Sequence, residues 1–312
     1  MSGVTMVGCI PTDPRRMDKF WGNDRLMRLL IGIVALVCGM ACALPAHADQ
    51  ADGTVPRDID NAFEGDYLIV GAGVGYTPDY SGSDDYMLRP IGGFRASISN
   101  IRIFSSGVGV GADLIPDAKA ARVKFALGPV LRYRANRTGK VRDDVVRLLP
   151  RLKETWEAGI VGGVSLDDIL HGRDSLSLGM DVRWSFAGNK GARIISTDIS
   201  YFTPVSRAAG IGVSLGMDHV NRDYADYHYS VTAEGNAASG LPAYQASGGW
   251  KNRTARLYGG YDLDGNLRNG GWGIGCIISY ERLRGAAAHT PITALRGSRE
   301  QWFAGIGLGY TF

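Results

Sequence analysis

The sequence predicts an all-β fold, a transmembrane up-and-down antiparallel β-barrel of about twelve strands. Two observations lead to this prediction. From Asp66 to the last residue, apolar residues occupy every second position in successive segments, which are separated by clusters of Gly, Asn, Asp and Pro. In addition, 44 glycines and a mean hydropathy of −0.06 suit strands that are apolar on one face only, whereas a helical membrane protein is far more apolar.

The final segment shows the alternation most clearly. One face holds Trp302, Ala304, Ile306, Leu308, Tyr310 and Phe312. The opposite face is mostly small or polar and holds Gln301, Phe303, Gly305, Gly307, Gly309 and Thr311. Because successive side chains of a strand point to opposite faces, the first set suits lipid, with aromatic rings near both ends. The segment therefore predicts a membrane-spanning strand that ends at the C-terminus.

Charged residues repeatedly fall on the small-residue face of the other segments, as Arg132, Asp181, Arg183 and Asp218 do. A soluble β-sandwich would keep the bulky face inside and the charges outside, so the charges favour a barrel with a polar lumen. The expected strands are 66–76, 86–97, 100–112, 121–134, 154–166, 174–186, 192–202, 210–220, 242–250, 253–263, 271–283 and 300–312. Ten or fourteen strands are the alternative counts, and an even number leaves both termini in the periplasm.

Two connections between the expected strands are long. Residues 135–153 are basic, and the helical spacing of Val141, Val145, Leu148 and Leu149 predicts a short amphipathic helix. Residues 220–241 are polar and rich in aromatic rings. Strict up-and-down counting places both connections in the periplasm, although bacterial barrels usually keep their periplasmic turns short. The strand boundaries in this middle region therefore stay open.

The N-terminal region predicts export. Leu29–Leu44 is an apolar run that follows Arg25 and Arg28 and precedes Ala46-His47-Ala48. It is shorter than the about 20 residues of a membrane-spanning helix, and its flanks are those of a secretory signal peptide cleaved after Ala48. An uncleaved anchor and a lipid-modified cysteine are the alternatives. Export of a barrel predicts the outer membrane of a Gram-negative bacterium as its location.

Three regions follow from these patterns. Residues 1–48 form a signal peptide with an upstream extension, and Met17 and Met27 are alternative starts. Residues 49–65 are polar and acidic without periodicity, which predicts a disordered periplasmic leader. Residues 66–312 form the barrel. Cys276 is the one cysteine of that region, and its apolar strand pattern predicts a small hydrophobic filler rather than a redox group.

No motif in the sequence predicts catalysis, a metal site or a cofactor site, so we expect no enzyme activity. The net charge of +3 argues against nucleic acid as a partner. Asp79, Asp84 and Asp85 could hold Ca²⁺ or act as acid and base, but a solvated turn that bends at Gly82 is favoured. For His228, a loop surface position is favoured over an aromatic patch with its neighbours Tyr227 and Tyr229.

Two further patterns suggest chemistry only weakly. Ser279 and His289 are the nearest candidates for an outer-membrane hydrolase pair, which would need a serine and a histidine within hydrogen-bonding reach. The Gly71-Ala72-Gly73-Val74-Gly75 run has the composition of a phosphate-binding loop, but no helical pattern follows it, so a strand is favoured. Neither pattern changes the expectation of a non-enzymatic barrel.

A series of short motifs points to a family. They are Tyr76–Tyr86 (YTPDYSGSDDY), Gly128-Pro129 with Tyr133, Glu157-Ala158-Gly159, Ala238–Tyr244 (ASGLPAY), Tyr280–Leu283 (YERL), Pro291-Ile292, Gly297–Gln301 (GSREQ) and Gly305–Phe312. In this order, over about residues 66–312, they resemble the MipA/OmpV family of MltA-interacting outer-membrane proteins. The chain departs from the family pattern in Gly285–Pro291, where an acidic residue of the family is missing. If that acid orders the last outer loop, the loop of this chain should differ.

The resemblance implies a function that the residue patterns do not. It implies a non-enzymatic scaffold in the outer membrane that joins a murein transglycosylase to a bifunctional penicillin-binding protein. Its surroundings would be outer-membrane lipid, and it needs no cofactor. A narrow channel for small solutes is the alternative, because Arg, Asp and Gly face the expected lumen, and an adhesin is a third possibility that the family suggests.

Overall fold

A computed structural model describes residues 63, 65–118, 121–170 and 173–312. Twelve antiparallel strands close into one barrel, in which each strand pairs with its neighbours in sequence and the first pairs with the last. The strands are β1 (Tyr67–Pro78), β2 (Tyr86–Ile98), β3 (Ile101–Ser105), β4 (Gly109–Asp113), β5 (Val123–Arg134), β6 (Thr155–Asp167), β7 (Ser175–Ala187), β8 (Arg193–Pro204), β9 (Ala209–Val220), β10 (Gly249–Asp262), β11 (Gly271–Leu283) and β12 (Glu300–Thr311). The predicted fold class is confirmed. The signal peptide, its cleavage site and nearly all of the expected leader lie outside the described residues.

The count of twelve is correct, but two predicted boundaries are wrong and cancel each other. The expected strand 100–112 is a hairpin of β3 and β4, which turns at Gly107 with a φ of +60°. The expected strands 242–250 and 253–263 are the single strand β10, preceded by a loop. The strand pairing of β10 shifts between Trp250 and Asn252, so Lys251 and Asn252 are both buried. This bulge interrupts the alternation and explains why the pattern suggested two strands.

The hairpin of β3 and β4 adds one strand before the middle loops and so reverses their predicted side. The connections 79–85, 106–108, 135–154, 188–192, 221–248 and 284–299 lie at the end of the barrel opposite the termini, and 135–154, 221–248 and 284–299 are the longest of the barrel. The connections at the other end are 99–100, 114–122, 168–174, 205–208 and 263–270. Because bacterial barrels combine long outer loops with shorter periplasmic turns, the end that holds the termini is the periplasmic one. The predicted periplasmic position of 135–153 and 220–241 is therefore wrong.

The outer wall carries the apolar set of side chains. Exposed apolar residues of this wall include Val74, Leu88, Phe125, Leu127, Ile160, Leu178, Leu215 and Leu308. Aromatic pairs mark both edges of the band, with Tyr280 and Trp302 at 4.9 Å near the loops, and Trp272 and Tyr310 at 5.1 Å near the termini. Trp272 and Tyr280 bound a nine-residue stretch of β11, which is about the length with which a tilted strand crosses a membrane.

The long outer connections contain the helices. These are α1 (Arg222–Tyr229), α2 (Ala233–Ser239), α3 (Gly285–His289) and α4 (Pro291–Ala294). None of the helices in the described part of the chain has the length and apolar character of a membrane span. The amphipathic helix predicted in 135–153 is wrong, because only Val146–Leu148 forms a 3-10 turn there. The Asp143 carboxylate accepts the N–H groups of Val145 and Val146 and so fixes a tight turn instead of a longer helix.

A capped lumen as the candidate functional site

Five outer connections, 79–85, 135–154, 188–192, 221–248 and 284–299, fold together over one end of the barrel, and we call them the cap. Two apolar clusters hold the cap together. One consists of Ala192, Ile194, Val220, Tyr224, Ala225, Tyr229, Ala246, Leu283, Ala287 and Ala288. The other consists of Tyr80, Val141, Val146, Leu149, Val231, Leu241 and Ile292. Each cluster joins residues from several connections, and burial of a large apolar side chain contributes about 1.5–3 kcal/mol, so the cap is a packed unit.

A group of hydrogen bonds, which we call the latch, ties the first connection to the start of β12. The Gly82 N–H donates to Oε1 of Gln301 at 3.0 Å, and Nε2 of Gln301 donates to the Ser83 carbonyl at 3.0 Å. The Ser298 N–H donates to the Gly82 carbonyl at 2.9 Å. Gly82 has a φ of +96°, and a Cβ there would lie 2.2 Å from Oγ1 of Thr293. Only glycine fits this position of the latch.

An ion pair joins two other connections of the cap. Nη2 of Arg296 donates to Oδ2 of Asp143 at 2.8 Å, and the Asp143 side chain is only 2% exposed. Burial alone raises the pKa of Asp143, but the hydrogen bonds from Arg296 and from the Val146 and Val145 N–H groups outweigh it and lower the pKa below its ordinary value. The carboxylate is therefore charged, and its hydrogen bonds hold two connections of the cap together.

His228 lies inside the cap and not on its surface. It is buried, its ring centroid is 4.4 Å from that of Tyr224 and 5.1 Å from that of Tyr227, and its Nδ1 lies 3.4 Å from the Asn136 amide nitrogen. Burial, together with the charges of Arg134, Arg137 and Lys251, lowers the pKa of His228 well below its ordinary value. The predicted surface position is wrong, and the aromatic-patch alternative is correct, because α1 folds inward over the lumen.

Beneath the cap, charged side chains form a network on the inner wall, which we call the polar cluster. Nε of Arg134 lies 2.7 Å from Oε1 of Glu157, and Nε of Arg183 lies 3.1 Å from Oε2 of the same carboxylate. Arg183 also pairs with Asp181. The inward orientation predicted for Asp181 and Arg183 is thus confirmed. Arg183 is completely covered, so its charge is stabilised by these partners and not by water.

The polar cluster continues onto β9–β11. Nζ of Lys251 lies 3.0 Å from Oδ2 of Asp218 and 3.6 Å from Oε1 of Glu281. The Asn252 amide donates to the same Asp218 oxygen at 2.9 Å. The cluster residues Glu157, Arg183 and Asn252 are at most 3% exposed, although they face the lumen. Side chains of the cap and wall therefore fill this side of the lumen.

A cavity of about 410 Å³ remains between the polar cluster and the first connection, and we call it the upper cavity. Its lining includes Arg89, Asn136, Ser279, Glu281 and Gln301, and Phe303 bounds it. These groups can hold a small polar molecule by hydrogen bonds. Within the described residues, no hydrogen bond joins Ser279 to a histidine.

The other candidate residues from the sequence are the Ser279 and His289 pair and the acidic turn around Gly82, and the two members of the pair lie apart. His289 is exposed at the end of α3, on the outside of the cap, whereas Ser279 faces the lumen. Asp79 accepts the Arg142 N–H at 2.9 Å. The predicted bend at Gly82 is confirmed, but the turn is not solvated, since the cap buries Tyr80 and Ser83.

Two remaining sequence patterns, the Gly71–Gly75 run and Cys276, lie in strands of the barrel wall. The Gly71–Gly75 run lies in β1, so the strand interpretation is confirmed. Cys276 is buried in β11, as expected for a small apolar side chain. Within the described ranges, no group of three or more His, Cys, Asp or Glu side chains could hold a metal ion.

The closed barrel, its apolar outer band with aromatic edges and its short turns beside the termini define an outer-membrane β-barrel protein. The particular family follows from a family model described as "MltA-interacting protein MipA", which matches residues 70–312. The chain belongs to this family, so the resemblance seen in the sequence motifs is confirmed. A comparison with curated proteins gave no match.

Solved barrels resemble the structure at low sequence identity. An outer-membrane channel from Pseudomonas putida F1 is 14% identical, with 83% of this chain and 100% of that chain covered and a TM-score of 0.47. The translocator domain of the autotransporter NalP from Neisseria meningitidis is also 14% identical, with 93% and 96% covered and a TM-score of 0.32. OmpT of Vibrio cholerae is 8% identical, with 79% and 96% covered and a TM-score of 0.35. Scores at this level do not indicate a shared function.

Most of the sequence segments that carry the family resemblance lie in the cap or at the outer ends of strands, whereas Gly128-Pro129 and Gly305–Phe312 lie along β5 and β12. Tyr76–Tyr86 and Gly297–Gln301 form the latch, and the Tyr244 N–H and carbonyl pair with Val231. The chain's departure in Gly285–Pro291 does not leave that segment irregular. It forms α3, and the Thr290 hydroxyl donates to the Tyr229 carbonyl at 2.6 Å.

Proposed function

We propose that this protein is a non-enzymatic scaffold of the outer membrane, with a murein transglycosylase and a penicillin-binding protein as its periplasmic partners. The family description names an interaction with MltA, which supports a role in binding rather than in transport. The main structural support is the packed cap together with the polar cluster, which cover the outer end of the lumen. A barrel filled in this way suits attachment better than free diffusion of solutes.

The periplasmic turns offer a surface for such partners. Five large apolar side chains of these turns are exposed, namely Leu114, Ile169, Leu170, Val205 and Leu263, and Leu170 is 68% exposed. The Asp174 carboxylate accepts the N–H groups of Ile169 and Leu170 and thereby presents both side chains outward. Exposed apolar groups on a water-facing rim are a common feature of protein interaction sites.

The test is recovery of murein enzymes on the immobilised barrel. Wild type should retain a murein transglycosylase or a penicillin-binding protein from detergent-solubilised envelopes of the source organism. The double variant Leu170→Ser/Leu263→Ser should retain at least about tenfold less, since losing two apolar contacts weakens association by more than 1.4 kcal/mol. Leu148→Ser is the matched control, because Leu148 is 52% exposed on the opposite end of the barrel.

Two outcomes would contradict the scaffold. Recovery of no murein enzyme by wild type would remove its basis. Equal losses for Leu148→Ser and for the double variant would show that the periplasmic turns are not the docking surface.

A channel is the second candidate, and one observation favours it. The upper cavity lies in line with a further cavity at the periplasmic end, and Phe303 lies between the two. Planar-bilayer recording separates the functions. A scaffold should show no steady conductance either as wild type or as Phe303→Ala, whereas a channel should conduct as wild type and conduct more after the ring is removed.

A further inference from the structure

The periplasmic half of the lumen contains a cavity of about 560 Å³, which we call the lower cavity. Its walls are formed by glycines of β1, β2, β11 and β12 and by apolar side chains, among them Ile69, Ile91, Tyr258 and Ile277. Phe63 lies against it at the point where the described chain enters the barrel. A volume of several hundred Å³ is typical of sites for small molecules.

The upper limit of the lower cavity is apolar as well. The Phe303 ring, Ile91 and Ile277 all lie within 3.3 Å of the position that a Cβ on Gly305 would take. These three side chains therefore pack together across the inner surface of Gly305 and separate the lower cavity from the polar upper one. Since barrel lumens of this class are normally polar, an apolar compartment of this size calls for an explanation.

The rim of the lower cavity carries a positive charge that is accessible to a ligand. Arg95 lines the cavity near the periplasmic end of β2, is exposed, and makes no ion pair or side-chain hydrogen bond within the described residues. The one acid of the lining, Asp262, is 7% exposed and accepts the N–H groups of Asp264 and Asn266 in the turn after β10. Arg95 is thus the accessible charge, and it favours an anion.

We propose that the lower cavity binds an alkyl carboxylate of medium chain length, which enters from the periplasm. The chain would lie between Ile69, Ile91 and Ile277, and the carboxylate would pair with Arg95 at the rim. The distance from Arg95 to Ile91 along β2 is about 13 Å, at roughly 3.3 Å per residue, which is enough for such a chain. This site is independent of the murein enzymes, so either proposal can fail alone.

Equilibrium dialysis of laurate against the full-length barrel in lipid nanodiscs tests this site, with empty nanodiscs subtracted. Wild type should bind laurate saturably at one site. Gly275→Leu should lower the affinity at least about tenfold, because the side chain fills the cavity, while the nearest atom to the new Cβ is 3.9 Å away and leaves the strand undisturbed. Gly139→Leu is the matched control, since its Cβ would meet nothing within 4 Å in the cap.

The charge is tested with laurate and its neutral analogue dodecanol. Arg95→Gln should weaken laurate about tenfold, the size expected for one charge-assisted hydrogen bond, and should leave dodecanol unchanged. Arg95→Lys should restore most of the laurate affinity, and Lys190→Gln on the cap should change nothing. Equal weakening of laurate and dodecanol by Arg95→Gln would overturn the assignment of the carboxylate.

Separate outcomes would refute the apolar part of the proposal. Absence of saturable laurate binding to wild type would overturn the site as a whole. So would unchanged affinity in a folded Gly275→Leu barrel. If that variant does not fold, Gly260→Leu replaces it, because its Cβ would lie 3.7 Å from the nearest atom.

Discussion

Replacing Gln301 by Leu should open the cap without unfolding the barrel. The substitution removes the acceptor of the Gly82 N–H and the donor to the Ser83 carbonyl, which both lie in the buried latch. Each backbone group left without a partner costs about 1–3 kcal/mol. Because Gln301 also lines the upper cavity, water can replace part of the loss, so we expect the lower half of the summed range, about 2–4 kcal/mol.

Hydrogen–deuterium exchange of the barrel in nanodiscs measures this effect. A cost of about 2 kcal/mol corresponds to roughly 30-fold faster opening, so amides of 79–85 should lose at least that much protection. Amides of β6–β9 should keep theirs, because the latch does not touch those strands. Gln245→Leu is the matched control, an exposed amide of the same cap. Unchanged protection of 79–85, or an equal loss in all strands, would refute the latch.

Two further predictions concern buried charge. The unfolded chain binds a proton at His228 near its ordinary pKa of 6.5 and the folded cap does not, so cap stability should fall below about pH 6.5, with about tenfold faster exchange per pH unit. His228→Gln should remove this dependence, and persistence of the slope would contradict it. Arg183→Leu leaves Asp181 and Glu157 short of a partner and should lower the free energy of unfolding by about 3–5 kcal/mol. Urea unfolding in bilayers measures this free energy. Arg256→Leu, at an exposed lumen position, is the control, and an equal loss of stability in both variants would refute the argument.

The barrel could be predicted from the sequence because lipid on one side and a polar lumen on the other impose a period of two on every strand. That period is local, so Trp302–Phe312 reveals its own orientation without knowledge of its neighbours. The strand order also needs little information, since up-and-down barrels pair neighbours in sequence.

The errors arose where the period is broken. The hairpin of β3 and β4 has strands of five residues, which are too short to show an alternation of their own. In β10 the bulge at Lys251 places two adjacent residues inside. Because the bulge turns Lys251 inward, its Nζ contacts both Asp218 and Glu281. The break in the alternation therefore places a charged side chain in the polar cluster.

The cap could not be predicted because its contacts join residues far apart in sequence. Gln301 meets Gly82 across 219 positions and Arg296 meets Asp143 across 153, and neither pair leaves a periodic signal. His228 has a polar, aromatic neighbourhood in the sequence, which suits a surface loop as well as a buried helix. Only the inward fold of α1 decides between them.

The positions of the family motifs indicate where this fold requires particular residues. A barrel needs only alternation and turns, and many residues satisfy both. The latch instead needs glycine at 82, and also at 297, where a Cβ would lie 1.8 Å from the Gly82 carbonyl. Two family motifs, Tyr76–Tyr86 and Gly297–Gln301, meet at the latch, whereas Gly128-Pro129 and Gly305–Phe312 lie along strands. The closed latch therefore requires glycine at two positions, a requirement that alternation along a strand does not impose.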